Sequence, residues 1–225
     1  LGLTGEQAKE EEEAINRRIA AVGLEQTQKE LAEKACDIEI NKLKQPSGKQ
    51  DQFISVYGGI SEFNINKKGF VKVDNLKIKN ETILDLEDNL LLFFTGFSRD
   101  SSLILSEQNK KTLRKDQEII KNLDYVKSLG SEIKKVLIKG DCEEFGKLMN
   151  HHWKYKLKRS KNMSNKTINE VYDFALENGA IGGKLIGAGG GGFLLFYTNT
   201  PNKLRKALVS KKLEEVRFKF DFEGV

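Results

Sequence analysis

Gly182-Gly183-Lys184-Leu185-Ile186-Gly187-Ala188-Gly189-Gly190-Gly191-Gly192-Phe193-Leu194-Leu195-Phe196-Tyr197 is two apolar runs joined by a loop almost without side chains. Five of the six residues from Gly187 to Gly192 are glycine. Glycine loses more backbone entropy on folding than any other residue, so such a run persists where the chain needs positive φ or where something approaches the backbone closely. The stretch reads as a hairpin whose connection faces a ligand. Gly187, Gly189 and Gly192 satisfy G-x-G-x-x-G, yet a dinucleotide fingerprint needs a helix straight after the glycines and an acid about 20 residues on. Here a strand-like run follows, and residues 207–212 hold no acid. The Gly-Lys-Ser/Thr ending of a Walker loop is absent too.

Outward from the hairpin, Asn89 to Thr95 is apolar from Leu90 to Phe94, which predicts a strand buried on both faces. The second half then reads as strand 89–95, helices, strand 183–187, strand 192–198, helix 202–215 and strand 216–222. This is an α+β arrangement, a split βαββαβ (ferredoxin-like) antiparallel sheet with helices inserted in the first crossover. Those inserted helices cover Leu103–Lys139, with Gly130 as a candidate break, then Cys142–Lys158 and Ser164–Asn178, the last stopped by Gly179. The first 85 residues form a helical portion with one hairpin, and residues 86–225 form the sheet domain. In the helical portion a polar helix over residues 6–22 ends at Gly23, and Thr27 caps a second helix with Glu30 as its capping-box partner. Before Pro46 that helix stops, and Pro46-Ser47-Gly48-Lys49-Gln50-Asp51-Gln52-Phe53 opens a short one. The positive end of a helix suits the Asp51 carboxylate, a group able to accept a hydrogen bond from a substrate hydroxyl. A hairpin over Ile60–Ile65 and Phe70–Val73 follows.

A chain of 225 residues with 38% hydrophobic residues can bury a substantial core, and nothing in it approaches the length of a membrane span. Its two cysteines, Cys36 and Cys142, lack metal or disulfide spacing, which points to buried thiols in a reducing cytosol. The net charge of +5 is a mild excess that suits small anionic ligands. Lys154, Lys156, Lys158, Arg159 and Lys161, interleaved with Trp153 and Tyr155, pose the alternative of a single-stranded nucleic-acid patch. A solvated basic helix end is the preferred reading of that run. His151 and His152 are adjacent and point about 100° apart on a helix, which disfavours a shared metal ion.

Gly182 to Phe193 resembles the third conserved motif of the GHMP small-molecule kinases, among them galactokinase, homoserine kinase and mevalonate kinase. Asn150-His151-His152-Trp153, Leu157, Ser160, the helix Asn169–Gly179 and the turn Pro46–Phe53 resemble the bacterial D-glycero-D-manno-heptose 7-phosphate kinase branch, and the similarity runs from about Glu30 to Leu213. The resemblance implies an ATP- and Mg²⁺-dependent sugar-phosphate kinase whose partners are a phosphorylated sugar and a nucleotide. Asp51 falls at the family's catalytic aspartate and Glu39 at a magnesium-ligating glutamate, with Lys49 close to the transferred group. Ser98, Arg99 and Lys184 are the implied sugar-phosphate contacts, beside a phosphate-facing loop of Gly187, Gly189, Gly190 and Gly191. The family's Gly-Leu-Gly-Ser-Ser-Ser phosphate loop has no counterpart, and the polar stretch Gln7–Arg18 stands where a small apolar helix is expected. The chain is therefore expected to be the C-terminal portion of such a kinase, its N-terminal part a helical remnant, with weak or no activity by itself. The rival reading is an engineered or truncated scaffold that binds without turnover.

Overall fold

In a computed structural model that describes residues 22–97 and 101–225, apart from the side chains of 101–103 and 161, the second half of the chain is organised around the strand Leu90–Phe94. Two strands precede it, β1 (Ser61–Ile65) and β2 (Val71–Asn75), which form a two-stranded sheet; β3 (Leu90–Phe94) is an inner strand of a second sheet. With β4 (Gly182–Leu185), β5 (Phe193–Tyr197) and β6 (Glu214–Val216) it makes a four-stranded sheet in the order β4-β5-β3-β6, antiparallel at each of its three pairings. This is the strand order of a split βαββαβ fold, as expected from the pattern of apolar runs.

Register explains which face is core. Opposite pairs share a face, so Leu91↔Phe196, Phe93↔Leu194, Gly183↔Phe196 and Leu185↔Leu194 lie together. Of these, Leu91, Phe93, Leu185, Leu194 and Phe196 build the main core with Ile104, Trp153, Met163, Ile168, Tyr172, Ala175, Leu204 and Leu208. The helices supplying them are α4 (Ser101–Leu113), α6 (Cys142–Leu157), α7 (Lys166–Glu177) and α8 (Pro201–Ser210). Lys184↔Leu195 and Gly182↔Tyr197 share the other face.

The first crossover holds α4, α5 (Gln117–Lys139), α6 and α7. The break expected at Gly130 lies instead at residues 114–116, and Gly130 is interior to α5. Lys115 there takes φ 56°, and the Asp116 side chain accepts from the amides of Glu118 and Ile119, a cap that ends one helix and starts another. Asp141 caps α6 through the Glu144 amide, and Asn165 caps α7 through the Ile168 amide. Gly140 and Gly179 leave α5 and α7 at positive φ.

Three expectations need correction. Residues 22–36 form one helix, α1, which runs through Gly23 and Thr27 into a π-helical turn, Asp37–Lys42. Thr27 is no cap, because its hydroxyl donates back to the Gly23 carbonyl at 2.9 Å, the usual bond of a mid-helix threonine. The last strand is Glu214–Val216, not 216–222. β6 pairs with Leu92–Phe94, and farther on the Phe220 amide donates instead to Glu87 Oε1 at 2.9 Å, on the helix α3 (Asn80–Asn89) that leads into β3. The expected helix over residues 6–22 lies outside the described residues except at Val22.

The chain divides into two compact units, one of residues up to Val71 plus Asp221–Val225, the other Lys72–Phe220. In the first, α1 and α2 (Gln50–Tyr57) bury Ala32, Cys36, Phe53 and Val56, with Phe53 against the rings of Tyr57 and Phe63. Its C-terminal segment is tied in where Asp221 O accepts from the Gly59 amide at 2.6 Å. Both cysteines are free and buried, and burial pushes the Cys142 thiol up to about 12.

Candidate functional site

His152 and Lys156 on α6, and Arg159 in the turn two residues past its end, recur at i, i+4 and i+7, which continues one helix face that runs against the edge strand β4. Two glycines let helix and strand meet. A Cβ on Gly182 would stand 2.0 Å from the Gly146 carbonyl oxygen, and one on Gly146 would stand 2.7 Å from the Tyr197 ring. At that separation the Lys156 ammonium crosses to the strand end, donating to Leu185 O at 3.1 Å and to Gly187 O, the first residue of the glycine loop. Lys156 is only 6% exposed.

The neighbouring groups are cationic or neutral. Arg159 Nε donates to Asn122 Oδ1 at 2.9 Å, and Asn122 in turn donates to Tyr155 O at 2.7 Å, which fixes the guanidinium from α5. Arg159 Nη2 and His152 Nδ1 are buried without a hydrogen-bond partner. Among the described residues no hydrogen bond or ion pair reaches the Lys184 ammonium. Burial, together with the charges of Lys184 and Arg159, brings the Lys156 ammonium down to about 7. The same burial, with Lys184, Arg159 and Lys156 close by, takes the His152 imidazole down to about 3. Lys184 and Arg159 are lowered chiefly by burial. No acid is among the charges acting on these four; the nearby Glu107 is held by Lys111 at 2.8 Å and by the Ser160 hydroxyl at 2.6 Å. A desolvated cluster of like charges is costly unless an anion completes it.

The loop itself is shaped from within. Gly187, Gly189, Gly190 and Gly192 have φ of 76°, 123°, 80° and 102°, where side chains are strained. The Gly190 amide donates to Met163 O and the Gly192 amide to Phe97 O, both at 2.9 Å. A Cβ on Gly189 would meet Met163 Sδ at 2.5 Å, and one on Gly191 would meet Phe97 O at 2.9 Å. Close approach at Gly189, Gly190 and Gly191 is thus largely to protein. Gly187 is exposed and has open space beyond its Cα. Ser98 and Arg99 lie outside the described residues.

In the first unit, Lys49 precedes α2 and donates from Nζ to Gly69 O at 2.6 Å, while Asp51 sits exposed in the first turn. Gln52, buried next to it, donates to Glu39 Oε2 and accepts from the Cys36 thiol at 3.7 Å. One glutamine side chain therefore ties Glu39 to the start of the Asp51 helix. Among the described residues no three of His, Cys, Asp and Glu gather as a metal cage.

The basic run on α6 is only in part the solvated helix end preferred from sequence. Lys154 and Lys158 are exposed, but Lys156 is buried and faces the strand. Nor do its aromatics offer free faces. Trp153 is 1% exposed against Tyr172, and Tyr155 stacks on Tyr125 with centroids 3.8 Å apart. The shared face of His152, Lys156 and Arg159 is signalled in the sequence by their i, i+4, i+7 spacing.

Residues 133–215 match the family described as GHMP kinases C terminal. The chain is 33% identical over 200 residues to D-glycero-alpha-D-manno-heptose 7-phosphate kinase of Campylobacter jejuni, an alignment covering 87% of this chain and 58% of that protein. Among solved structures, a putative sugar kinase from Campylobacter jejuni matches at 29% identity and a TM-score of 0.65, over 88% of this chain and 56% of the other. A D-glycero-D-manno-heptose 1-phosphate kinase from Bacteroides thetaiotaomicron matches at 25% identity and a TM-score of 0.65, over 86% and 52%. The chain thus spans little more than half the length of these relatives. With the sheet order, the glycine hairpin and the matched segment in agreement, this chain carries the C-terminal domain of the GHMP kinases.

Proposed function

We propose that the chain serves an ATP-dependent sugar-phosphate kinase that transfers the γ-phosphoryl group to the anomeric hydroxyl of a heptose 7-phosphate. The observation that carries this reading is the buried cation cluster of α6 and β4 at the mouth of the glycine loop, inside the segment matched to the family. Support for the substrate class comes from the Campylobacter jejuni relative, itself a heptose 7-phosphate kinase.

The hydroxyl oxygen of the sugar attacks the γ-phosphorus, the bond to the bridging oxygen breaks, and ADP leaves. Asp51 is the acceptor for the hydroxyl proton, and its exposed place in the first turn of α2 suits that role. Lys49 sets positive charge beside the transferred group. Lys184 is the proposed contact to the sugar phosphate, with Ser98 and Arg99 assigned to it by resemblance alone and the exposed Gly187 as the backbone wall. Mg²⁺ fits a single-carboxylate site, since it is commonly held by one or two carboxylates and the phosphates themselves. Glu39, oriented by Gln52, is the oxygen ligand for it. When bound, the ion neutralises charge on the phosphates. The free buried thiols and the use of ATP favour the reducing cytosol as the compartment of this reaction.

The test is turnover of heptose 7-phosphate with Mg-ATP, read as ADP release. Asp51→Asn is expected to lower the rate about 10²–10⁴-fold, the usual contribution of a positioned base. If the chain neither phosphorylates nor binds the sugar phosphate, the proposal fails and the binding-scaffold reading with another ligand stands.

A further inference from the structure

We infer that His152, Lys156, Arg159 and Lys184 form a seat for a dianionic phosphate monoester, the phosphate already carried by the sugar and not the one being transferred. The inference rests on the sugar-phosphate kinase reading for the identity of the ligand, and on geometry for the seat. Two of the groups lie along one face of α6, Arg159 follows two residues past its end, and the fourth lies on the β4 face that packs against the helix. Lys156 spends two of its three protons on Leu185 O and Gly187 O, which leaves one N–H to donate. Arg159 Nη2 and His152 Nδ1 are buried polar atoms without partners, and Lys184 has no bond or ion pair among the described residues.

Lys156, Arg159 and Lys184 thus present free donor capacity where no acid acts on them, and the neutral His152 joins them in the tautomer that carries its proton on Nδ1. A phosphate monoester offers three terminal oxygens and two negative charges, enough to satisfy these donors and offset the mutual repulsion. A carboxylate brings one charge and two oxygens, which would leave most of the repulsion in place. Charge-assisted bonds of this kind are roughly twice as strong as neutral ones. Because burial has lowered Lys156 to about 7, a bound dianion draws a proton onto it above that pH. The charged groups facing Lys156 are Lys184 from β4 and Arg159 beyond the end of α6, with the uncharged Asn122 side chain on Arg159 from α5.

Titration calorimetry at pH 8 in buffers of different ionisation enthalpy tests the seat, using the whole chain. The probes are heptose 7-phosphate, the same heptose without phosphate, inorganic phosphate and a non-hydrolysable ATP analogue. Lys184→Met and Arg159→Gln are each expected to weaken the phosphorylated sugar and inorganic phosphate about tenfold to hundredfold. The ATP analogue and the plain heptose should be unaffected, and Lys156→Met should abolish proton uptake on binding. Arg159 is only half-buried, so its variant keeps the test valid if a β4 variant unfolds. Parent-like affinity for both phosphate probes in Lys184→Met and Arg159→Gln overturns the inference, as does selective loss of the ATP analogue. So does a parent chain that binds neither phosphate probe. If phosphate binding is lost in the variants while no heptose 7-phosphate is turned over, the kinase reading falls and the seat stands.

Discussion

Gly182→Ala tests the contact that brings α6 onto β4. The added Cβ would lie 2.0 Å from Gly146 O, 2.9 Å from Asn150 Cβ and 3.0 Å from the Gly146 carbonyl carbon. Two of these neighbours are backbone, so no side chain can swing aside; the helix must retreat by more than about 1 Å to restore ordinary contact. Overpacking a core costs about 1–3 kcal/mol, and an obstruction made of backbone belongs at the upper end. For a domain of this size about 3 kcal/mol lowers Tm by about 6–12 °C. The same chemical change at Gly130 meets nothing within 4 Å and lies inside α5. Gly130→Ala is therefore expected to gain about 0.5–1 kcal/mol from helix propensity and to raise Tm by about 1–4 °C. Thermal melting by circular dichroism, with urea titration for the free energies, reads both. A Gly182→Ala protein within 1 kcal/mol of the parent, or a Gly130→Ala protein less stable than the parent, would refute the packing account.

Two further predictions concern charge and capping. Lys156 falls from an ordinary 10.5 to about 7, so the unfolded chain binds more protons than the folded one between those pH values. Unfolding free energy should consequently rise with pH across that window, and Lys156→Met should flatten the rise; equal unfolding free energies from urea titrations at pH 7 and 9.5 would count against the burial. His152 acts in the same sense lower down, with stability lost as pH falls from 6.5 toward about 3. Asp116→Ala removes the side chain that accepts from two amides at the start of α5, and it should cost about 0.5–2 kcal/mol by the same titration. Asp116→Asn, which keeps an acceptor, should recover most of that loss.

The sheet was legible because its strands carry strong local signals. Leu90–Phe94 is apolar throughout and the glycine run marks a connection, so both periodicity and backbone chemistry agree with the final register. Where a signal depends on partners, sequence misleads. The alternation in Val216–Phe222 fits a strand, but the ladder with β3 ends at Val216, and the Phe220 amide bonds the Glu87 carboxylate instead. Gly23 and Gly130 look like stops, yet helix neighbours outweigh a penalty of about 1 kcal/mol. The glycine loop was recognisable as a place of close approach, whereas the identity of the neighbours at Gly189 and Gly191, Met163 and Phe97, came only from tertiary packing. The cation cluster was hidden for a similar reason: Lys156 and Lys158 differ by two positions in sequence and by burial against exposure in the fold.

The register of the sheet also bears on how the protein is made. Phe94 pairs with Phe193 and Leu90 with Tyr197, partners separated by roughly 100 residues, and closing so long a loop is slow. At ribosomal speeds of about 5–20 residues per second, the Leu-Leu-Leu-Phe-Phe segment waits on the order of 5–20 s for its mate. In that interval it is an unpaired apolar strand beside freshly formed helices. Translation that stalls before Phe193 would therefore release chains prone to aggregate, and holdase chaperones would find their target at residues 90–94.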